Sequence, residues 1–203
     1  MVRTIVHLVR HGEVYNPEKI LYGRIPGYHL SARGRSQAAA TARSFDGHDV
    51  AYLASSPLQR TQETAEPFSE ITGLEVQLDP DLLEAGNQFE GLRVRGVRSQ
   101  LWNPKYWPLM LDPTKPSWGE SYEEIRRRVM VAVKRARLQA EGREAILITH
   151  QLPIVCVQRH VRGQSLAHNP GARQCELASV SSVVFNGTNI ERLIYSEPAR
   201  RVE

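Results

Sequence analysis

Four short stretches of this 203-residue chain hold residue types that can do chemistry. In Arg10-His11-Gly12-Glu13 a guanidinium and an imidazole stand side by side, and the glycine lets backbone approach a ligand. A neutral imidazole is a nucleophile toward phosphorus. The neighbouring guanidinium offers forked donors to phosphoryl oxygens. An isolated Arg-His pair is more often a hydrogen-bonded strand end with a surface arginine. A second stretch, Ser55-Ser56-Pro57-Leu58-Gln59-Arg60-Thr61-Gln62-Glu63-Thr64-Ala65, puts Arg60 on the first turn of a helix, where the helix end already favours anions. The bland reading is an ordinary helix start. In Leu82-Leu83-Glu84-Ala85-Gly86 a carboxyl group follows an apolar pair, and partial burial there suits a group that hands over a proton. Most glutamates are simply exposed. Finally, Ala145-Ile146-Leu147-Ile148-Thr149 ends at His150, which alone reads as a satisfied core histidine.

These stretches need elements that bring them together. Residues 4–9 are β-branched and apolar and predict a buried strand running into Arg10-His11. Residues 31–45 predict a helix with Ala38, Ala39, Ala42 and Phe45 on one face. A short strand is expected over 50–54, and a helix from Pro57, in its first turn, to about Thr72, closed by Gly73. A weaker strand is expected over 74–78. Ser121-Tyr122-Glu123-Glu124 is a capping box. The helix behind it turns Ile125, Val129, Ala132, Val133 and Ala136 inward, and leaves Arg126-Arg127-Arg128 as a solvated face. The strand at 145–149 is followed by a helix over 153–161. Strands over 178–185 and 190–195 are joined by Asn186-Gly187-Thr188-Asn189, a hairpin signal.

Alternating strands and helices predict an α/β fold, three layers with a mostly parallel central sheet. Ligands of such sheets sit beyond the carboxyl ends of the strands. His11 and His150 both end strands, so both are expected at that rim. The chain reads as a single domain over 1–203. Residues 86–118 form an irregular excursion over the body, with a helix around 95–102, and hold all three tryptophans, Trp102, Trp107 and Trp118. The excursion brings Arg93, Arg95 and Arg98, with Trp102, Tyr106 and Trp107, near Glu84. It is expected to supply substrate selectivity, with Arg93 and Arg95 as substrate-binding cations. Packing of its aromatics onto the body is an equal alternative.

In their order, Arg10-His11-Gly12-Glu13, the Ser-Pro-x-x-Arg-Thr-x-x-Thr-Ala block ending at Ala65, Leu83-Glu84 and the strand ending at His150 resemble the histidine phosphatase superfamily, the phosphoglycerate mutase-like group. The resemblance runs from about residue 3 to 165. Asn16, Gly23-Arg24, Leu30-Ser31, Gly34, Gln37-Ala38 and Gly119-Glu120-Ser121 support it. It implies that His11 becomes phosphohistidine, that Arg10, Arg60 and His150 form the phosphate pocket, and that Glu84 protonates the leaving oxygen. Asn16 and Arg24 match positions that line the same pocket. It also implies a metal-independent enzyme acting on a small phosphorylated substrate, with no cofactor.

The sequence departs from the pattern in four places. Val14 stands where Thr or Ser often follows the glutamate, and the step from His11 to Asn16 is one residue short. Pro26-Gly27-Tyr28-His29 replaces a common Asp-x-Pro stretch. Gln151 replaces the Gly after the second histidine. The compact length favours hydrolysis over a cofactor-dependent phosphoglycerate mutase. A non-catalytic phospho-ligand binder is a further alternative, against which the intact His11, Arg60, Glu84 and His150 argue.

Composition sets outer bounds. Lysine and arginine number 26 against 22 acidic residues, a net charge of +4. Of those cations 22 are arginine and four lysine. The arginines are scattered, without the aromatic interleaving of a nucleic-acid surface. No run approaches a membrane span, and no signal-peptide pattern opens the chain. With only Cys156 and Cys175, a disulfide scaffold is excluded and a cytoplasmic protein is expected. There is no HExxH and no carboxylate group with ligand spacing, so no metal site is expected. A homodimer is compatible with the sequence but not read from it.

Overall fold

The computed structural model describes residues 2–94, 99–110 and 118–202. Its centre is a six-stranded sheet: β1 (Arg3–Arg10), β2 (Val50–Ser55), β3 (Gln77–Leu78), β4 (Glu144–Thr149), β5 (Val180–Asn186) and β6 (Asn189–Ser196). The spatial order is β3-β2-β4-β1-β5-β6. The first four are mutually parallel, β5 runs antiparallel to β1, and β6 antiparallel to β5. This is the mostly parallel sheet expected, with one strand reversed.

Helices cover both faces. On one, α1 (Ala32–Arg43) and α2 (Gln59–Thr72) pack Ala42, Phe45, Ala65 and Phe68 against Val9, Leu53, Ile146 and Ile148. On the other, α3 (Tyr122–Gln139) and α4 (Gln151–Val161) pack Val129, Val133, Ala136 and Ile154 against Val6, Leu8, Ala145, Leu147 and Val183. Phe68 is fully buried, and truncating such a ring to alanine costs about 3–5 kcal/mol.

Local chemistry explains most boundaries. The Ser31 hydroxyl caps α1 by accepting from Gly34 N at 3.0 Å. The Ser121 hydroxyl accepts from Glu124 N, and the Glu124 carboxylate accepts from Ser121 N, completing the capping box on α3. Gly73 ends α2 in the left-handed region, φ 69°. Asn186 pairs with Asn189 to close the β5–β6 hairpin.

Four expectations need correction. α2 starts at Gln59, not at Pro57, because Leu58 is the extended cap residue and the Thr61 hydroxyl donates back to Ser56 O and Leu58 O. β3 shrinks to two exposed residues paired with Ala54 and Ser55 at the sheet edge. α4 begins at Gln151 with His150 as its cap residue, so Pro153 lies within the first turn, where its missing N–H breaks no helical bond. In the excursion, 3-10 turns form at Gln100–Trp102 and Pro104–Met110. The rest of the helix expected at 95–102 lies largely outside the described residues.

Candidate active site

β1 and β4 are neighbours, and Arg10 lies opposite Thr149 in their register. His11 and His150 therefore leave the sheet at the same level, their ring centroids 5.3 Å apart. Beyond β1 the chain turns tightly against the start of α1. A Cβ on Gly12 would lie 2.4 Å from Gly34 O, and one on Gly34 2.0 Å from Glu13 O, so both positions require glycine. The Thr64 hydroxyl accepts from Gly12 N at 3.2 Å, tying this turn to α2.

The tautomers of both histidines follow from their partners. His11 Nδ1 lies 2.8 Å from Gly12 O, which can only accept, so Nδ1 carries the proton and Nε2 holds a free lone pair. Arg60 Nη2 can only donate, and it donates to His150 Nδ1 at 3.2 Å and to Gly23 O at 2.7 Å. His150 Nε2 thus donates to the Ser56 hydroxyl at 2.9 Å. Burial, then Arg60, then Arg10 push the His11 pKa well below its ordinary value. Burial and Arg60 do the same for His150. Both rings are neutral at neutral pH.

Arg60 is only 1% exposed. Its guanidinium lies 4.8 Å from the centre of the Tyr22 ring, which stacks on Tyr28. Arg10 donates through Nη1 to Cys175 O at 2.6 Å. Yet the buried Nε of Arg10 and the buried Nε of Arg60 both lack a protein partner. Orphaned buried donors of this kind cost about 1–3 kcal/mol each, more when charged. Here two of them flank one neutral imidazole, an arrangement that suits an anion.

Glu84 lines the same cavity as Arg10 and His11, from irregular chain. The Thr149 hydroxyl at the end of β4 donates to Leu82 O at 2.6 Å. Arg128 reaches from α3 to Asp81 O at 2.8 Å and Leu83 O at 2.7 Å. Arg24 Nε donates to Glu84 O at 2.6 Å. Glu120 binds both guanidinium groups, Arg24 at 2.9 Å and Arg128 at 2.7 Å, and holds the brace together. The expectation that Arg128 belongs to a solvated face is therefore wrong: its side chain is 16% exposed and points inward. Arg127 is exposed as expected.

A cavity of about 730 Å³ opens over this floor. Arg10, His11 and Glu84 line it, with Asn16, Lys19, Tyr22, Gln151, Leu152 and Arg173. Arg60 and His150 lie behind this lining, fully buried against His11. Asn16 reaches the cavity, but its amide also closes a loop with Ile20, donating to Ile20 O and accepting from Ile20 N. Arg24 is not in the lining; it braces Glu84 from behind. Arg93 is not there either: its chain bridges to Ile20 and its guanidinium lies out at the rim, 3.9 Å from Glu18. Arg95 and Arg98 lie outside the described residues. The excursion contributes Asn87 and Val94 to the cavity instead, while Trp102 and Trp107 are exposed.

Sequence reasoning missed Tyr22, Lys19 and Arg173 as cavity residues. Arg173 is held there by His168 at 2.9 Å and leans toward Gln151, 3.4 Å away. Gln151, in place of the Gly after the second histidine, is the one sequence feature that bears on Arg173. The two cysteines are closed to thiolate chemistry, because burial pushes Cys156 up to about 12 and Cys175 up to about 11. Among the described residues, His7, His48 and Glu144 form a group of donors close enough to hold a metal ion. They join the middle of β1 to the start of β4 and the turn before β2, away from the cavity, whereas the sequence predicts no metal site.

Comparison with known proteins agrees with this geometry. Residues 6–195 match the model of the histidine phosphatase superfamily, branch 1, and the chain belongs to that family. It is 46% identical over 197 residues to an uncharacterized protein of Mycobacterium tuberculosis, Rv0525, covering 97% of each chain. It is 29% identical over 164 residues to a probable phosphoglycerate mutase of Escherichia coli, GpmB, covering 78% of this chain and 74% of the relative. The fold superposes on YhfR of Bacillus stearothermophilus with a TM-score of 0.79 at 22% identity, over 93% of this chain and 94% of the other. It also superposes on a mycobacterial glucosyl-3-phosphoglycerate phosphatase, Rv2419c, with a TM-score of 0.74 at 22% identity, over 96% and 98% of the two chains. The family is that of the histidine phosphatases, and the relatives' names include a probable mutase and a phosphatase. Among the described residues, no helix is long and apolar enough to cross a membrane.

Proposed function

We propose that this protein is a metal-independent phosphomonoester hydrolase of the cytoplasm, acting on a small phosphorylated metabolite through phosphohistidine at His11. One observation carries the reading: two arginines, each with a buried and unpartnered Nε–H, flank a histidine whose free Nε2 is neutral. Arg10 and Arg60 supply the positive charge that a phosphate dianion needs around its oxygens.

In the first step His11 Nε2 forms a bond to phosphorus while the ester P–O bond breaks. Glu84 gives its proton to the departing oxygen and becomes a carboxylate. In the second step Glu84 takes a proton from water, the resulting hydroxide bonds to phosphorus, and the N–P bond breaks. Phosphate leaves and both residues return to their starting states. His150 keeps Arg60 in place through its Nδ1. Asn16, Lys19 and Arg173 are available to the rest of the substrate, and the volume suits a small metabolite.

Hydrolysis of p-nitrophenyl phosphate tests the reading. The wild type turns it over and His11→Ala does not; equal rates would overturn it. Incubation with 3-phosphoglycerate separates hydrolase from mutase. Phosphate release is expected, and turnover through 2,3-bisphosphoglycerate without phosphate release would reverse the assignment.

A further inference from the structure

His7 lies in the middle of β1, on the face that packs against α1 and α2. Its neighbours there are apolar: Val9, Ile146 and Ile148. A histidine in such a position, with a side chain 7% exposed, has to be satisfied by specific partners. It stands about 13 Å from His11, four residues along an extended strand, and has no part in the phosphate chemistry.

Three separate segments converge on it. His7 Nε2 lies 2.9 Å from Glu144 Oε2, at the start of β4. His48 Nδ1, from the turn between α1 and β2, lies 2.7 Å from the same oxygen. The donor atoms of all three residues lie within 4.8 Å of one another. Phe45 walls the group on one side, its ring centroid 4.9 Å from His7 and 5.2 Å from His48. Behind His7, Nδ1 is 2.8 Å from the Ser182 hydroxyl. A hydroxyl donates or accepts, so Ser182 can hold this ring with its proton on either nitrogen. The nearby charge of Arg143 is already engaged by Asp49.

We propose that His7 Nε2, His48 Nδ1 and the Glu144 carboxylate form a binding site for a zinc-class divalent cation, with water as fourth ligand. Two imidazoles and one carboxylate are a zinc-type donor set. Ligand atoms around tetrahedral zinc stand about 3.3 Å apart, given bonds of about 2.0–2.1 Å. The observed 2.7 and 2.9 Å require an outward shift of about half an ångström. The His48 side chain, 41% exposed and on a turn, can make it. The same exposure gives the ion a route in and leaves one position to solvent. Bound there, the ion clamps β1, the α1–β2 turn and β4 at the end of the sheet opposite the cavity.

The test uses the untagged full-length chain, stripped with chelator, then titrated with Zn²⁺ and with Co²⁺. The wild type is expected to take up one equivalent, to gain the visible absorption of four-coordinate Co²⁺, and to melt at a temperature that rises with metal concentration. His48→Ala should lose all three signals while keeping phosphatase activity. Glu144→Gln should lose them as well, but His48→Ala decides the matter if that variant does not fold. His11→Ala should retain them, which separates this group from the imidazoles of the cavity. No uptake by the wild type, equal uptake by His48→Ala, or loss in His11→Ala would overturn the proposal.

Discussion

The floor of the cavity and its Glu84 wall are held in different ways. On the floor, His11 and His150 end two adjacent strands, and Arg60 enters from the first turn of a helix packed on the same sheet. All three are buried within rigid elements. Glu84 instead sits on irregular chain whose carbonyls are pinned by Arg24 and Arg128, themselves joined through Glu120. In the proposed mechanism the floor supplies charge and a nucleophile whose positions the fold fixes. The wall would supply the proton, from a carboxyl group whose position depends on three long side chains. Damage to the floor should therefore abolish chemistry, whereas damage to the brace should blur it.

The largest expected effect is at the nucleophile. His11→Ala should lower kcat by about 10⁴-fold or more on every phosphomonoester, because no neighbouring group replaces the lost lone pair. Arg60→Lys should lower kcat by about 10²-fold, since a point charge keeps the field but not the forked donors. Both are read by steady-state hydrolysis assays.

The wall should respond by leaving group. Glu84→Gln should slow hydrolysis of alkyl phosphates by about 10²–10³-fold but leave the initial burst of p-nitrophenolate from p-nitrophenyl phosphate intact, because that leaving group departs without a proton, while later turnover slows for want of the water-activating carboxylate. Glu120→Gln should give the same pattern at about tenfold, with KM little changed, because it loosens the brace without touching substrate. A p-nitrophenolate burst slowed as much as alkyl phosphate turnover would mean that Glu120 acts on the fold, not on Glu84.

The smallest effect separates the floor by pH. Because His11 and His150 are held below their ordinary pKa, the unfolded chain takes up protons below pH about 6.5 that the folded chain refuses. Stability should thus fall as pH falls from that point, by up to about 1.4 kcal/mol per pH unit for each histidine. Urea unfolding at a series of pH values reads this slope, and His11→Ala should make it shallower.

The same contrast explains what could be read from the chain alone. His11, Arg60 and His150 were legible because each follows a periodic element that a short motif marks, and strand ends of a parallel sheet share one rim. Glu84 was singled out by the family resemblance, since the apolar pair before it left an exposed glutamate as the usual reading. Its brace was not: Arg128 sits in a run of three arginines whose outward and inward members look identical until α3 is docked. Arg24 was placed in the pocket, and Arg93 was counted as a substrate cation on closeness in sequence alone. Arg173 and Lys19 reach the cavity from loops without periodicity. His7, His48 and Glu144 carry no common spacing, because the sheet order alone brings them together.

Rapid quenching of the enzyme with labelled substrate tests the central claim most directly. The wild type should yield an acid-labile, alkali-stable phosphoprotein mapping to His11, and His11→Ala should yield none. Turnover by the wild type without any phosphoprotein, or a label on His11→Ala equal to that of the wild type, would contradict it.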